Sequence, residues 1–441
     1  MMNRYLTFFF SSLLISLLFM PATGFSRPKA TVKYSVTRAE NPKGSKEFLI
    51  LPFGFSSETM GPTFGVGGGS KGYIQDQLLM GGAVYGGTEE TVGAVLALYD
   101  YRPRWADQFF FSIIGSVGHY PKQRAYADPV YTEDKGPRSG TNDSDFENYM
   151  ESEGTDNWWE MKLEWVLPMG GARDSSMAAY SLRSGILESG GSGGSSWNPM
   201  ESGITTLAIR QYNHYQTAIL KDKKYSQTIH PLEFAVGYNN TDFPSNPSVG
   251  SNQYFSFVKD FGWLDSRGEW DFLQFEASKY LSLGASDWAR QRVFAFNFWS
   301  GHSFSWSEGV NEDGYIERYD APPHYDGGVL GGFYRMRGYA NHRFHDRSVI
   351  YSTAEYRYTP RWNPLGQWKL LSFLKVDWMQ IVGFVEGGRV APDYDFDELF
   401  SDWKVDGGVG LRFMMAGAII RFDLGVSDES TNGWLMVGHP F

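Results

Sequence analysis

Through the second half of the chain, apolar and polar residues alternate with a period of two. Ile420, Phe422 and Leu424 alternate with Arg421 and Asp423, and Val409, Leu411 and Phe413 alternate with Gly410 and Arg412. Phe294, Phe296 and Phe298 alternate in the same way with Val293, Ala295 and Asn297. Between Val349 and Tyr358, one face carries Ile350, Ala354, Tyr356 and Tyr358, and the other Thr353, Glu355 and Arg357. Successive strand residues point to opposite faces, so each stretch is a strand with one greasy and one wet side. In a soluble sandwich the apolar face would meet a second sheet. Here charges recur so consistently on the wet face that the pattern predicts a transmembrane antiparallel β-barrel, greasy outside and wet within.

The same reading places strands at 77–85, 91–101, 108–119, 158–167, 177–188, 205–213, 233–238, 253–259, 271–282 and 291–303. Five more surround and follow Gly331–Tyr339, among them Val376–Val390. Strands of ~10 residues with their turns fit roughly sixteen times into such a chain, and an even number is expected. The fold class is therefore all-β, a barrel over residues 51–441. Before it, residues 27–50 hold Lys33, Arg38, Lys43 and Lys46 among proline and asparagine. With no apolar period, they are expected to be a short periplasmic leader, poorly ordered or passing into the barrel. Residues 1–26 read as a signal peptide: Arg4, an apolar run from Leu6 to Met20, Pro21, then small residues with cleavage near Gly24–Ser26.

Composition agrees with the strand pattern. Aromatic residues make up 17% of the chain while mean hydropathy is −0.36, as when apolar side chains fill alternate positions of many strands. Trp158, Trp159, Trp165, Trp299, Trp306, Trp362, Trp368, Trp378 and Trp403 fall mostly near predicted strand ends, where interfacial girdles need them. A net charge of −11 argues against nucleic acid, and the absence of cysteine excludes disulfides, thiolate metal sites and a cysteine nucleophile. Residues 127–156 are the longest acidic stretch. Without a D-x-D-x-D-G loop they read as a solvated loop, not a calcium site, and the strand count puts them on the periplasmic side. His119, His214, His302, His324, His342, His345 and His439 stand in no G-x-S-x-G elbow or H-E-x-x-H helix. His342 and His345 near Asp346 suggest a metal on spacing alone, which is poor evidence. No enzyme activity and no cofactor are expected.

One loop carries the sharpest chemistry. Gly331–Tyr339 reads GGFYRMRGY, and the strands after it present Glu355 within AEYRYTP and Glu386 within FVEGG. An arginine entering the lumen would offer its planar fork to carboxylates on two adjacent strands, a geometry lysine cannot copy. That is a structural pin for a long loop. The sequence resembles the BamA/TamA superfamily of outer-membrane barrels (bacterial surface antigens), in which a loop (V/I/L/M)-R-G-(F/Y) motif folds into the lumen. Met336-Arg337-Gly338-Tyr339 fits the motif, with Glu355 and Glu386 where the family places the acidic partners. Leu51–Gly61 is similar to the family's first strand, and Tyr238–Gly250 to its Y-x-x-R-D-x-x-x-N-P-x-x-G hairpin, with Thr241 in place of arginine. The final Phe441 is like the residue that such barrels present to their own assembly machinery.

The resemblance implies a bacterial outer-membrane barrel, and the short leader of residues 27–50 is expected to leave no room for the periplasmic POTRA domains that such proteins carry. It implies a lipid bilayer as surroundings, the assembly machinery as partner during biogenesis, and protein or lipid as the thing handled, by insertion or translocation. A passive pore or structural surface antigen is the rival.

Overall fold

A computed structural model describes residues 32–40, 46–57, 60–87, 90–127, 137–191, 193, 196–220, 223–310, 316–367 and 374–441. The expected signal peptide and its cleavage site, like Trp368, lie outside the described residues. In chain order the strands begin β1 (Tyr34–Arg38), β2 (Glu47–Ser57), β3 (Gly61–Lys71), β4 (Leu79–Gly87), β5 (Val92–Tyr101), β6 (Phe109–Ala125), β7 (Met150–Val166), β8 (Ala178–Arg183) and β9 (Ile186–Gly190). Next come β10 (Ile204–Leu220), β11 (Lys223–Ile229), β12 (Leu232–Asn239), β13 (Gly250–Phe261), β14 (Glu269–Ser282) and β15 (Ala289–His302). The chain continues with β16 (Ser307–Val310), β17 (Ile316–Tyr319), β18 (Gly328–Leu330), β19 (Phe344–Asp346) and β20 (Ser348–Pro360). It ends with β21 (Val376–Ala391), β22 (Lys404–Met415), β23 (Ala418–Val426) and β24 (Thr431–Val437).

The wall is an antiparallel meander that forms a barrel. Ladders run from β2 through β7, across to β10, on to β15, across to β20 and on to β24. β11 and β12 both lie along β10 and form two halves of one wall strand. Pro231 separates them because it has no N–H to give the ladder, while its carbonyl still accepts from the Tyr212 amide. Counted this way, the ladders among the described residues link sixteen strands, and none joins β2 directly to β24.

Alternation fixes the faces. Arg421 and Asp423 are buried inside while Leu424 between β22 and β24 is exposed, and Thr353, Glu355 and Arg357 line the interior of β20. Val293 and Ala295 face inward and Phe294 and Phe296 outward, as their alternation predicts. Trp159, Trp165 and Trp362 are exposed, but Trp299 and Trp378 are fully buried on the inner face and belong to no girdle.

Four expectations need correction. The segment expected as one first strand is a hairpin, β2 and β3, paired from Glu47↔Lys71 to Ser57↔Gly61. Its glycine run lacks the side chains that would have marked two periods. With this strand added and residues 177–188 lying outside the wall, the parity changes, and residues 137–149 stand at the same rim as the long connection between β15 and β20, here called the upper rim. There the His345 amide donates to the Gly140 carbonyl at 2.7 Å. Asp143, Asp145 and Glu147 remain exposed, whereas Ser139, Asn142, Ser144 and Asn148 are buried.

Residues 177–188 are not in the wall. They form β8 and β9, which with β1 make a separate three-stranded sheet at the opposite, lower mouth. The expected unstructured leader is therefore partly a strand. Val32, Tyr34 and Val36 supply an apolar face after all, packing with Tyr180, Leu182 and Phe243 and with Trp378, Met414 and Ile419 of the wall.

Candidate functional site

The long loop carries regular structure of its own. β16 pairs with β17, and β18 with β19. The second ladder closes a tip, residues 331–343, that descends into the lumen. Gly331 and Gly332 turn the chain at φ +102° and +106°, conformations that cost L-residues a Cβ clash. Met336 also sits at φ +59°, fully buried, so the residue before the arginine holds a left-handed backbone that its packing must sustain.

This turn delivers Arg337 to the wall. Its backbone N–H donates to Glu386 Oε2 at 2.6 Å and its Nε to the same oxygen at 3.1 Å. Nη1 donates to Asp423 Oδ2 at 2.6 Å and lies 3.0 Å from Glu355 Oε1. The guanidinium carbon stands 3.5 Å from the centre of the Phe384 ring, which shares the inward face with Glu386 two residues on. Arg337, Glu355, Glu386 and Asp423 are all buried.

Both predicted carboxylates thus reach Arg337, but the pairing differs from expectation. Glu355 is held chiefly by Arg412, in a two-pronged contact of 2.7 and 3.0 Å, and by Arg357 at 2.8 Å. Asp423, predicted only to face inward, is the closer partner of the Arg337 fork and is shared with Arg421 at 2.6 Å. Arg412 and Arg421 point into the lumen from β22 and β23, so the pin is one member of a network of alternating charges. Breaking it strands the charges that it compensates.

The other loop residues explain their own motif. Gly338 donates its N–H to Asp406 Oδ2 at 3.0 Å, and a Cβ there would lie 2.7 Å from Asp406 Cβ and 2.8 Å from the Val426 carbonyl carbon. Its carbonyl accepts from Ser427 Oγ, Ser430 Oγ and Asn432 Nδ2 at 2.8–2.9 Å, and the Arg337 carbonyl accepts from Trp434 Nε1 at 2.8 Å. Tyr339 reaches Asp428 Oδ1 at 2.7 Å. The second glycine of FVEGG has a matching role: a Cβ on Gly388 would meet Leu330 of β18 at 3.0 Å.

Two further loop arginines escaped the sequence reading. Arg335 pairs with Glu276 of β14 at 2.9 Å and lies 3.7 Å from the centre of the Trp299 ring. Arg343 grips Glu429 through Nε and Nη2 at 2.7 and 2.8 Å and Ser144 through Nη1 at 2.8 Å, tying the tip to the β23–β24 turn and to the acidic connection. The only signal was their spacing beside Arg337 in RMRGYANHR. Between the Arg335 side of the tip and the wall residues Glu160, Arg210, Tyr212, Glu233 and Tyr254 remains a cavity of about 260 Å³.

His345 is a buttress of the upper rim. Arg318 Nη1 lies 2.9 Å from its Nδ1, and its Nε2 faces the Tyr126 carbonyl. Burial, reinforced by the Arg318 charge, pushes this imidazole well below the usual histidine range, and burial does the same to His324. Among the described residues no group of three or more His, Asp or Glu side chains is placed to hold a metal ion.

Phe441 was expected to finish the last wall strand. Instead β24 stops at Val437, and Gly438 turns the chain at φ +89°. The Phe441 ring then stacks on Tyr280 at 6.3 Å and lies 5.1 Å from the Arg357 guanidinium, beside Val293 and Ala295 of the inner face. His439 Nδ1 approaches Arg412 Nη1 at 2.7 Å. Pro440, which cannot donate to a ladder, suits this departure from the sheet.

The resemblance implied a loop arginine held by Glu355 and Glu386, and the structure places Arg337 against both, with Asp423 of β23 as a further partner. The family model described as the Omp85 superfamily domain matches residues 181–434, a stretch that contains the loop tip and all its wall partners. The chain belongs to the Omp85 superfamily. Among solved structures, this Omp85 barrel is similar to BamA from Haemophilus ducreyi lacking POTRA domains 1-3, with 12% identity, 90% of this chain and 71% of that one covered, and a TM-score of 0.44. It is also similar to CdiB from Acinetobacter baumannii, with 10% identity, 89% of this chain and 58% of that one covered, and a TM-score of 0.47. No curated protein matches the chain.

Proposed function

We propose that this Omp85 barrel sits in a bacterial outer membrane and assists polypeptides into or across it. The observation that carries the reading is Arg337, delivered by the upper-rim loop to Glu386, Asp423 and Glu355 on the β20–β23 wall. A loop motif of this family, held against the wall by so many contacts, supports the family's kind of work. A permanently open pore is disfavoured by the filling of the lumen, with the loop tip above and the β1–β8–β9 sheet below.

The test is a folding assay. Purified protein in lipid vesicles is expected to accelerate the folding of an unrelated test barrel, relative to vesicles holding an equal amount of a passive barrel. Unchanged folding together with a steady ohmic conductance in planar bilayers would favour the pore reading instead.

A further inference from the structure

The lower mouth holds a strand arrangement that the arginine network does not use. β1 runs parallel to β8, from Tyr34 opposite Ala178 to Arg38 opposite Leu182, while β9 covers the other edge of β8. These parallel partners come from distant parts of the chain, so local connectivity does not impose the pairing. β1 is a five-residue strand with β8 as its ladder partner.

Its side chains span the mouth. Just before it, Lys33 Nζ lies 2.6 Å from both Asp100 of β5 and Glu164 of β7. At its other end, Arg38 lies 2.7 Å from Glu47 of β2 and from Asp377 of β21. Between them the Tyr34 ring packs edge-on against Tyr180 at 5.6 Å and Phe243 at 5.8 Å. A sheet edge that binds backbone along its length, flanked by carboxylates and an aromatic seat, recognises extended peptide in general and selects it by charge.

We propose that the β8 edge, Ala178–Arg183, is a strand-accepting site. The chain keeps it filled with its own Tyr34–Arg38, and an extended peptide with a basic residue near each end takes that place when β1 withdraws. The acids stand on four wall strands, so the preference for positive ends stays with the mouth whichever strand lies in it. Only the biological use of this site rests on the polypeptide-handling reading; its occupancy does not.

The chain has no cysteine, so a single engineered pair can be oxidised cleanly. Ser35 and Ala179 are register partners, and Ser35→Cys with Ala179→Cys should form a disulfide if β1 docks as seen. The probe is a fluorescent synthetic peptide copying residues 32–38, beside a second with glutamate at both basic positions, added to the full chain in detergent micelles. Because the resident strand competes, Lys33→Gln with Arg38→Gln is expected to bind the probe about tenfold more tightly than the parent. The reduced cysteine pair should bind like the parent, the oxidised pair should lose binding, and the glutamate peptide should bind none of them. Failure of the disulfide to form, equal binding by oxidised and reduced protein, or no binding even by the double glutamine variant overturns the proposal. Heat-modifiable gel mobility checks that each variant is folded. No folding substrate is present, so a negative result here is separate from a negative result in the folding assay.

Discussion

The backbone N–H and the Nε of Arg337 both donate to one oxygen of Glu386, at 2.6 and 3.1 Å. A side-chain contact alone would tolerate some drift of the loop. A main-chain donor on the same carboxylate fixes where the loop backbone lies against β21, leaving Nη1 for Asp423 and Glu355 on β23 and β20. The loop tip is thereby registered against several wall strands at once.

Close approach at Gly338 gives the first prediction. Gly338→Ala would push a methyl into Asp406 and the β23 backbone at 2.7–2.8 Å, and is expected to lower barrel stability by ~1–3 kcal/mol while raising protease sensitivity of the loop. Gly383→Ala is the control, since nothing stands within 4 Å of its Cβ position. Denaturant titration of both variants checks this, and equal stability would mean that the tip does not rest on β22 and β23.

The buried histidines of the upper rim set a pH dependence. In the folded chain His345 and His324 are held well below the usual range by burial, and Arg318 adds repulsion at His345. Unfolded, they titrate near ~6.5, so below that pH the unfolded state binds more protons. Stability from this source is fully present above ~6.5 and falls as pH drops below it, by up to ~1.4 kcal/mol per unit for each ring. Limited proteolysis of the loop from pH 7.5 down to 5 should show progressive opening, reduced in His345→Gln; these pH points bracket the ~6.5 reference. A flat profile would contradict the assignment of neutral rings.

The two wall faces should respond oppositely to charge. Val409 is 59% exposed on the outer face of β22, where Val409→Arg is expected to cost ~2–4 kcal/mol in a bilayer if the position lies near the midplane. Folding free energies in lipid vesicles measure it. A negligible cost would place this face in water.

Much of this architecture was legible because alternation with charge is unambiguous. β20 to β23 put Arg, Glu and Asp on one face, and the structure turns that face inward. β8 misled because Ala178, Tyr180 and Leu182 alternate with the same period whether a strand stands in the wall or lies across the mouth; period reports faces, not location. Glycine-rich β3 hid a strand, and with it the parity that assigns loops to rims. At the site, the motif named Arg337, Glu386 and Glu355, but Arg412 and Asp423 join the network through strand register, which one sequence does not display. Phe441 was misplaced for a similar reason, since the Gly438 turn takes it out of the strand pattern.

The central claim is that Arg337 pins the loop inside the barrel, and it is tested most directly by Arg337→Ala, Arg337→Lys and Glu386→Gln compared with the parent for heat-modifiable gel mobility and loop proteolysis. Removing one member of a buried charge network typically costs ~3–5 kcal/mol, less where lumen water screens it. Arg337→Ala should therefore keep its strand content but lose heat resistance and expose the 303–347 loop to protease. Arg337→Lys should recover only part, because an ammonium cannot serve Glu386 and Asp423 through a rigid fork. If Arg337→Ala matches the parent in both measurements, the network is not what holds the loop.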